Sequence, residues 1–412
     1  MPQSAARASE TRQWNRLMDL AEIGAIAGNG VNRQALTPGD RAARRLMVGW
    51  AADIGATVSI DEANNLWLRV EGSDASAAPV LTGSHLDSQP KGGRFDGAYG
   101  VVAGLEVIAA LHDAGIVTRR PIEVVAWTNE EGSRFAPGCT GSMSWAGTHD
   151  VHHWDEVRDQ EGVYYSTALA EQMKAESDLP RRPLGSKPYA YVEAHIEQGP
   201  ILEAEALDIG VVTGIQGSRW FTVTVSGESA HAGTAPVSLR KDAMIEAMRA
   251  ILALSEAMHD PEDVLRFTVG RLAVSPNASN SVADSVTFSI DLRHPDTETL
   301  RRRGDTIPDV VRAAMRACTV VVRESFHADP LAFAPAVIDQ IEQAAHAAGF
   351  SHRRIASGAF HDAQFAARVC QAGMIFVPSR AGISHNPAEF TSAAQLAKGT
   401  EVLLRTVLAL AG

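Results

Sequence analysis

His85, Asp87 and Asp96 fall together in Gly83–Gly97, and Glu130 and Glu131 stand side by side in Thr128–Gly132. Further along, His195 opens His-Ile-Glu-Gln-Gly and His385 follows the apolar run Met374–Ser379. Imidazole combined with carboxylates is the ligand set of a divalent metal of the zinc or manganese type. His85, Asp96, Glu131, His195 and His385 are the candidate ligands. A carboxylate can bridge two cations through its two oxygens, and Asp96 is the natural bridge between a His85 side and a Glu131 side. Two adjacent glutamates let one bind metal while the other, Glu130, works as a base. Asp87 is expected to accept the second ring N–H of His85 and fix its tautomer. Gly92, Gly93 and Gly97 allow backbone geometry that a side chain would obstruct.

A lone histidine is more often a satisfied polar residue than a ligand, and a lone Glu-Glu pair is usually solvated. His149, His152, His153, His259, His346 and His352 are accordingly read as surface or structural. The candidates differ because placement at the end of an apolar, strand-like run repeats at four separate sites. In open α/β sheets the chemistry collects beyond the carboxyl ends of the strands.

Those runs are Pro79–Gly83, Ile122–Thr128, Tyr189–His195 and Met374–Pro378. Further strands are expected at Thr57–Ile60 and Leu66–Val70. Trp14–Ala27, Thr37–Ile54, Gly97–Ala114, Pro335–Gly349 and Thr391–Leu410 carry helical periodicity. Thr37 is the expected N-cap of its helix, with Pro38 in the first turn. After Gly214 the rhythm changes. Trp220–Ser226, Arg266–Val274, Ser285–Leu292 and Thr319–Glu324 read as strands, with helices at Val237–His259 and Glu298–Ala317. That βαββαβ order is the signature of a ferredoxin-like split unit. The expected fold is an α/β catalytic domain, a mixed sheet flanked by helices, formed by residues 1–213 and 330–412. An α+β ferredoxin-like domain, residues 214–329, interrupts it, with hinges near Thr213–Gly217 and Ala328–Pro330.

A chain of 412 residues exceeds what one core usually organises, which agrees with two domains. Its net charge of −12 argues against nucleic-acid or anionic-membrane partners. Cys139, Cys318 and Cys370 are too few and too scattered for a disulfide framework, so a reducing, cytoplasmic setting is expected. Met1–Leu20 is polar and charged, without the apolar core of a signal peptide, and no apolar run is long enough to span a bilayer.

Taken together, GSHLDSQPKGGRFDGAYGV, TNEEGSRF, HIEQGP, SAHAGTAPVSLRKDA, PNASN, DLRHPD, SGAFHDA and MIFVPSRAGISHNPAEF resemble the M20 metallopeptidase superfamily. Within it they are most similar to the hydantoinase/carbamoylase amidase branch, and they run from residue 83 to 390. That branch includes N-carbamoyl-L-amino-acid hydrolases, β-ureidopropionases and allantoate amidohydrolases. The resemblance implies two divalent cations per subunit, zinc first, with manganese, cobalt or nickel as alternatives. His85 and His195 would hold one cation, Glu131 and His385 the other, with Asp96 between them and Glu130 as general acid/base. The inserted domain would act as a lid and dimerisation module reaching the partner's site. His231 would help stabilise the oxyanion, and Asn280 and Arg293 would bind the substrate carboxylate. Arg offers a planar fork that matches a carboxylate. Gln198 is a candidate for the urea end of the substrate, and Gly358 and Ala359 for backbone N–H groups aimed at an anion. Phe360 stands where glycine is common in the branch, and Gln364 where an apolar residue is common. The implied activity is hydrolysis of the carbamoyl C–N bond of an N-carbamoyl-L-amino acid. Alternatives are allantoate or a related ureido compound, a dipeptidase or aminoacylase reaction, and a metal-binding protein without catalysis.

Overall fold

A computed structural model describes residues 6–412; Met1–Ala5, the start of the polar amino-terminal stretch, lie outside the described residues. The chain forms two compact units, Met1–Thr213 with Phe333–Gly412, and Gly214–Ala332.

In the first unit four strands run parallel in the spatial order Gln371–Val377, Ala190–Ile196, Val80–His85, Ile122–Trp127. All four are buried almost throughout, so they show no alternation of buried and exposed residues. Antiparallel strands extend both sides: Leu66–Val70 and Thr57–Ile60 on one, Ile209–Ile215 on the other, with His352–Ser357 pairing beside the last. The result is a mixed sheet flanked by helices. Its central helix, Ala98–Ala114, is buried from its first residue to Leu111. Gly104 lets that helix approach the sheet, since a Cβ there would meet Val124 Cγ1 at 2.9 Å.

The second unit carries an antiparallel sheet in the order Arg266–Thr268, Ser285–His294, Gly217–Ser226, Thr319–Ala328, with helices Ala243–Ala257 and Thr297–Ala314 packed on it. This is the ferredoxin-like strand order that the βαββαβ rhythm predicts. Phe221, Val223 and Val225 alternate inward against Val286, Phe288 and Ile290 to form its core.

Several elements differ from the sequence reading. The first helix is Glu10–Ala21, capped by Ser9, not Trp14–Ala27. Gly24 at φ +84 packs against Asn32 O and turns the chain into a short hairpin, Ala25–Ile26 with Gly30–Val31. Asp242 caps the helix Ala243–Ala257, so the upstream Val237–Leu239 is only a 3-10 turn. Arg266–Val274 divides into Arg266–Thr268 and Leu272–Ser275, both paired with Ser285–His294. Ile209–Ile215, His352–Ser357 and the helix Tyr165–Ala175 were not anticipated. Thr37 does cap Pro38–Asp53, accepting from Asp40 N.

Candidate active site

His85 is the last residue of its strand, His195 the penultimate residue of its own, and Glu130 and Glu131 follow Trp127 by three and four residues. Asp96 lies just before the buried helix Ala98–Ala114, where the positive end of the helix dipole favours an anion. His385 sits in the loop after Gln371–Val377. The topology therefore delivers every candidate ligand to one end of the parallel strands.

The two oxygens of Asp96 face different partners. Oδ1 is 3.2 Å from His195 Nε2 and 3.7 Å from His85 Nε2. Oδ2 is 3.2 Å from His385 Nε2, which in turn is 3.3 Å from Glu131 Oε2. Donors bonded at roughly 2.1 Å to a tetrahedral ion lie about 3.4 Å apart along each edge. Both groups, His85–Asp96–His195 and Asp96–Glu131–His385, are convergent enough to hold a metal ion each. Glu130 Oε2 is 3.4 Å from His85 Nε2, beside the first group.

The ring orientations are set from behind. His85 Nδ1 donates to Asp87 O at 2.9 Å and His195 Nδ1 to Ile196 O at 2.9 Å, so both Nε2 atoms face Asp96. The expected role of Asp87 is corrected here: its carboxylate is 3.8 Å from His85 Nδ1 and accepts instead from Glu130 N and Glu131 N, both at 3.2 Å. The backbone carbonyl fixes the imidazole, and the carboxylate fixes the turn that presents the two glutamates. Asn129, at φ 56, completes that turn and donates to Phe135 O at 2.8 Å. Gln198 and His385 also adopt left-handed backbone angles, at φ 57 and φ 53.

Burial dominates the electrostatics. Glu130 is pushed well above the ordinary carboxylate range by burial, then by the charges of Asp362, Glu131, Asp87 and Asp96. Burial, then the charge of Asp96, raises Glu131 to about 8. Burial holds His85 down at about 4. For His195 burial acts downward but is outweighed by Asp96, giving about 9, and the Asp96 hydrogen bond lifts His385 to about 9. Carboxylates with raised pKa values and imidazoles held against one aspartate make a donor set that could hold a cation.

Gln198 turns out to face Asp96: Nε2 donates to Oδ2 at 2.9 Å, while Oε1 is buried with no protein partner. Ser384 Oγ is also 3.1 Å from Asp96 Oδ2. The Ala359 N–H already donates to Ser357 Oγ at 3.1 Å, so it is not presented to an anion. Gly358, on the same turn, is exposed, and Phe360 and Gln364 are half-buried. Three groups went unassigned in the sequence reading. Glu389 accepts from Phe95 N and Asp96 N, Gln89 contacts Glu131, and His361 lies with its ring 4.6 Å from that of His195. All three fall inside the quoted motif segments, which was the available signal.

In the second unit, His231 and Asn280 are neighbours. Ala230–His231 pairs with Ser281–Val282, and Ala232 N donates to Asn280 O at 3.0 Å. Arg293 stands near the far end of Ser285–His294, its guanidinium on Asp291 at 2.9 Å. At about 3.3 Å per residue, Arg293 is roughly 26 Å along the strand from Ser285. The structure brings His231 and Asn280 together and leaves Arg293 apart.

Gly97 combines φ +61 with a Cβ position only 2.3 Å from the His85 ring. Gly97→Ala is expected to cost about 1–2 kcal/mol in backbone strain and to displace His85 as well. A lowered melting temperature together with weaker metal retention in dialysis checks this; a variant that retains metal like the parent contradicts it.

An N-carbamoyl-L-amino-acid amidohydrolase of Rhizobium meliloti is 38% identical, over 99% of this chain and 98% of the relative. An allantoate amidohydrolase of Bacillus subtilis is 34% identical over 93% of each. A crystal structure of a hydantoinase/carbamoylase family amidase from Burkholderia ambifaria superposes with a TM-score of 0.92 at 41% identity, covering 99% of both chains. The family model for Peptidase family M20/M25/M40 matches residues 81–409, the span that contains every ligand-bearing strand end. With the fold, the ligand-bearing loops and the full-length relatives in agreement, the chain belongs to the peptidase family M20/M25/M40.

Proposed function

We propose that the protein is a metal-dependent amidohydrolase that cleaves the carbamoyl C–N bond of N-carbamoyl-L-amino acids, releasing the amino acid, ammonia and carbon dioxide. The observation that carries this reading is Asp96 standing between two ligand groups with Glu130 beside one of them. Relatives named for this reaction support the substrate class. His85 and His195 would hold one cation, Glu131 and His385 the other, and Asp96 both; zinc suits this nitrogen and oxygen set, as do manganese, cobalt and nickel. When bound, the cations supply Lewis acidity and make water a stronger acid. Glu130, raised by burial, takes a proton from the attacking water and returns it to the departing nitrogen. Gln198 Oε1 offers an acceptor to a substrate N–H.

His231 would stabilise the oxyanion, and Asn280 and Arg293 would bind the substrate's carboxylate end. Their separation within one copy supports a homodimer in which one small substrate draws these groups from two chains. The Gly214–Ala332 unit supplies a suitable surface: Ile245, Met248 and Leu252, spaced to share a helix face, are exposed, as are Val237 and Leu239. Among the described residues no helix is long and apolar enough to cross a membrane. Three free cysteines suit a reducing setting, which supports a cytoplasmic enzyme.

Allantoate is the second reading, favoured by the Bacillus subtilis relative and by the same ureido and carboxylate groups. Ammonia release by the metal-reconstituted protein from N-carbamoyl-L-amino acids, N-carbamoyl-β-alanine and allantoate tests both. Metal-dependent release is expected from the carbamoyl amino acids. Release only from allantoate favours the second reading, and hydrolysis of dipeptides alone overturns both.

A further inference from the structure

Glu131 is gripped on both oxygens by a single residue. The backbone N–H of Gln89 donates to Oε1 at 3.0 Å, and its side-chain Nε2 donates to Oε2 at 2.7 Å. Oε2 is also the oxygen that faces His385. The two contacts come from one short loop, and Gln89 itself is half-buried. A carboxylate tied at both ends has its plane fixed, which keeps Oε2 aimed toward His385. In the other group, His85–Asp96–His195, all three residues are buried, and the two imidazoles are oriented by backbone carbonyls that no side-chain substitution removes. His385 in the Glu131 group is 51% exposed. Glu131 therefore depends on a side-chain donor, where the two imidazoles of the other group do not.

We propose that Gln89 is a positioning residue for the Glu131–His385 metal position, and that its amide makes occupancy of that position selectively sensitive to substitution. This inference rests on the dinuclear reading above. Groups that hold a ligand in place commonly govern 10–100-fold in metal affinity. Replacing Gln89 by Leu keeps the bulk and the backbone N–H but removes the Nε2 donor.

The test is titration of the metal-free full chain with zinc or cobalt against a competing chelator, for the parent, Gln89→Leu and Gln89→Asn. In the parent, two ions bind. In Gln89→Leu the weaker of the two is expected to lose about 10–100-fold in affinity while the tighter is unchanged. At saturating metal the KM should stay at the parent value and kcat should recover. Equal affinities in parent and Gln89→Leu overturn the inference alone. Equal weakening of both ions also overturns it, because the loop as a whole is then disturbed. Gln89→Asn, which keeps an amide too short to reach Oε2, should behave as Gln89→Leu; parent-like binding would contradict the side-chain contact. Fewer than two ions in the parent itself overturns the dinuclear reading and this inference with it.

Discussion

Glu130→Gln is expected to lower kcat by about 10²–10⁴ while leaving metal content and melting temperature near those of the parent. The substitution preserves the shape of the side chain and removes its ability to accept and return a proton. The fold around it does not depend on the charge: Asp87 holds the turn through the N–H groups of Glu130 and Glu131, and Asn129 through Phe135 O. Glu130 is not one of the groups convergent on either metal position, so the ligand set survives. Burial raises the pKa of Glu130 and neutralising it relieves repulsion from Asp362, Glu131, Asp87 and Asp96, so a slightly higher melting temperature is compatible with the loss of rate. Ammonia release, metal content by elemental analysis and thermal unfolding are the measurements. Turnover within a few-fold of the parent would remove Glu130 from the reaction. Loss of metal alongside turnover would show it to be a ligand rather than a proton carrier.

The sequence makes the ligand-bearing strand ends legible because parallel strands buried on both faces are continuous apolar runs, and polar residues at their ends stand out. Val80–His85, Ile122–Trp127, Ala190–Ile196 and Gln371–Val377 lie within a few residues of where the pattern places them. The split rhythm of the second unit is legible for a similar reason, since its strands alternate against two amphipathic helices. What the pattern cannot display is side-chain direction. Asp87 two residues after His85 suggests a carboxylate on the ring, yet the carbonyl of Asp87 reaches the ring and its carboxylate caps the glutamate turn. Gln89 and Glu389 carry no chemical signature of their own. Their importance comes from contacts 42 residues away in the case of Gln89, and 293 and 294 residues away in that of Glu389. His231, Asn280 and Arg293 fall close in sequence to residues of one small sheet, and only the register of Ser285–His294 separates them.

Removing the metal is expected to abolish turnover and to make stability fall as pH rises from about 6.5 to 9. Without cations, protons stand in their place. Glu131 at about 8, His195 at about 9 and His385 at about 9 all hold protons more tightly than in an unfolded chain, where a glutamate titrates near 4.3 and a histidine near 6.5. The native state then binds more protons than the unfolded one, so stability decreases with increasing pH. The contribution of Glu131 is complete below about 4.3 and gone above about 8; those of the two histidines are complete below about 6.5 and gone above about 9. Asp96 and His85 have depressed values and act in the opposite sense, but their contributions are lost only in acid, as pH falls through the usual carboxylate range for Asp96 and through about 4 for His85. Cations occupying the same Nε2 and carboxylate atoms remove this dependence, and binding them must release protons. At free metal a hundredfold above Kd the stabilisation amounts to about 2.7 kcal/mol for each ion. Thermal unfolding of chelated and zinc-loaded protein across this pH range checks the argument. The two melting curves should diverge toward pH 9, with the loaded protein nearly flat. Parallel curves would mean that the protons bound at these groups do not occupy the cation positions.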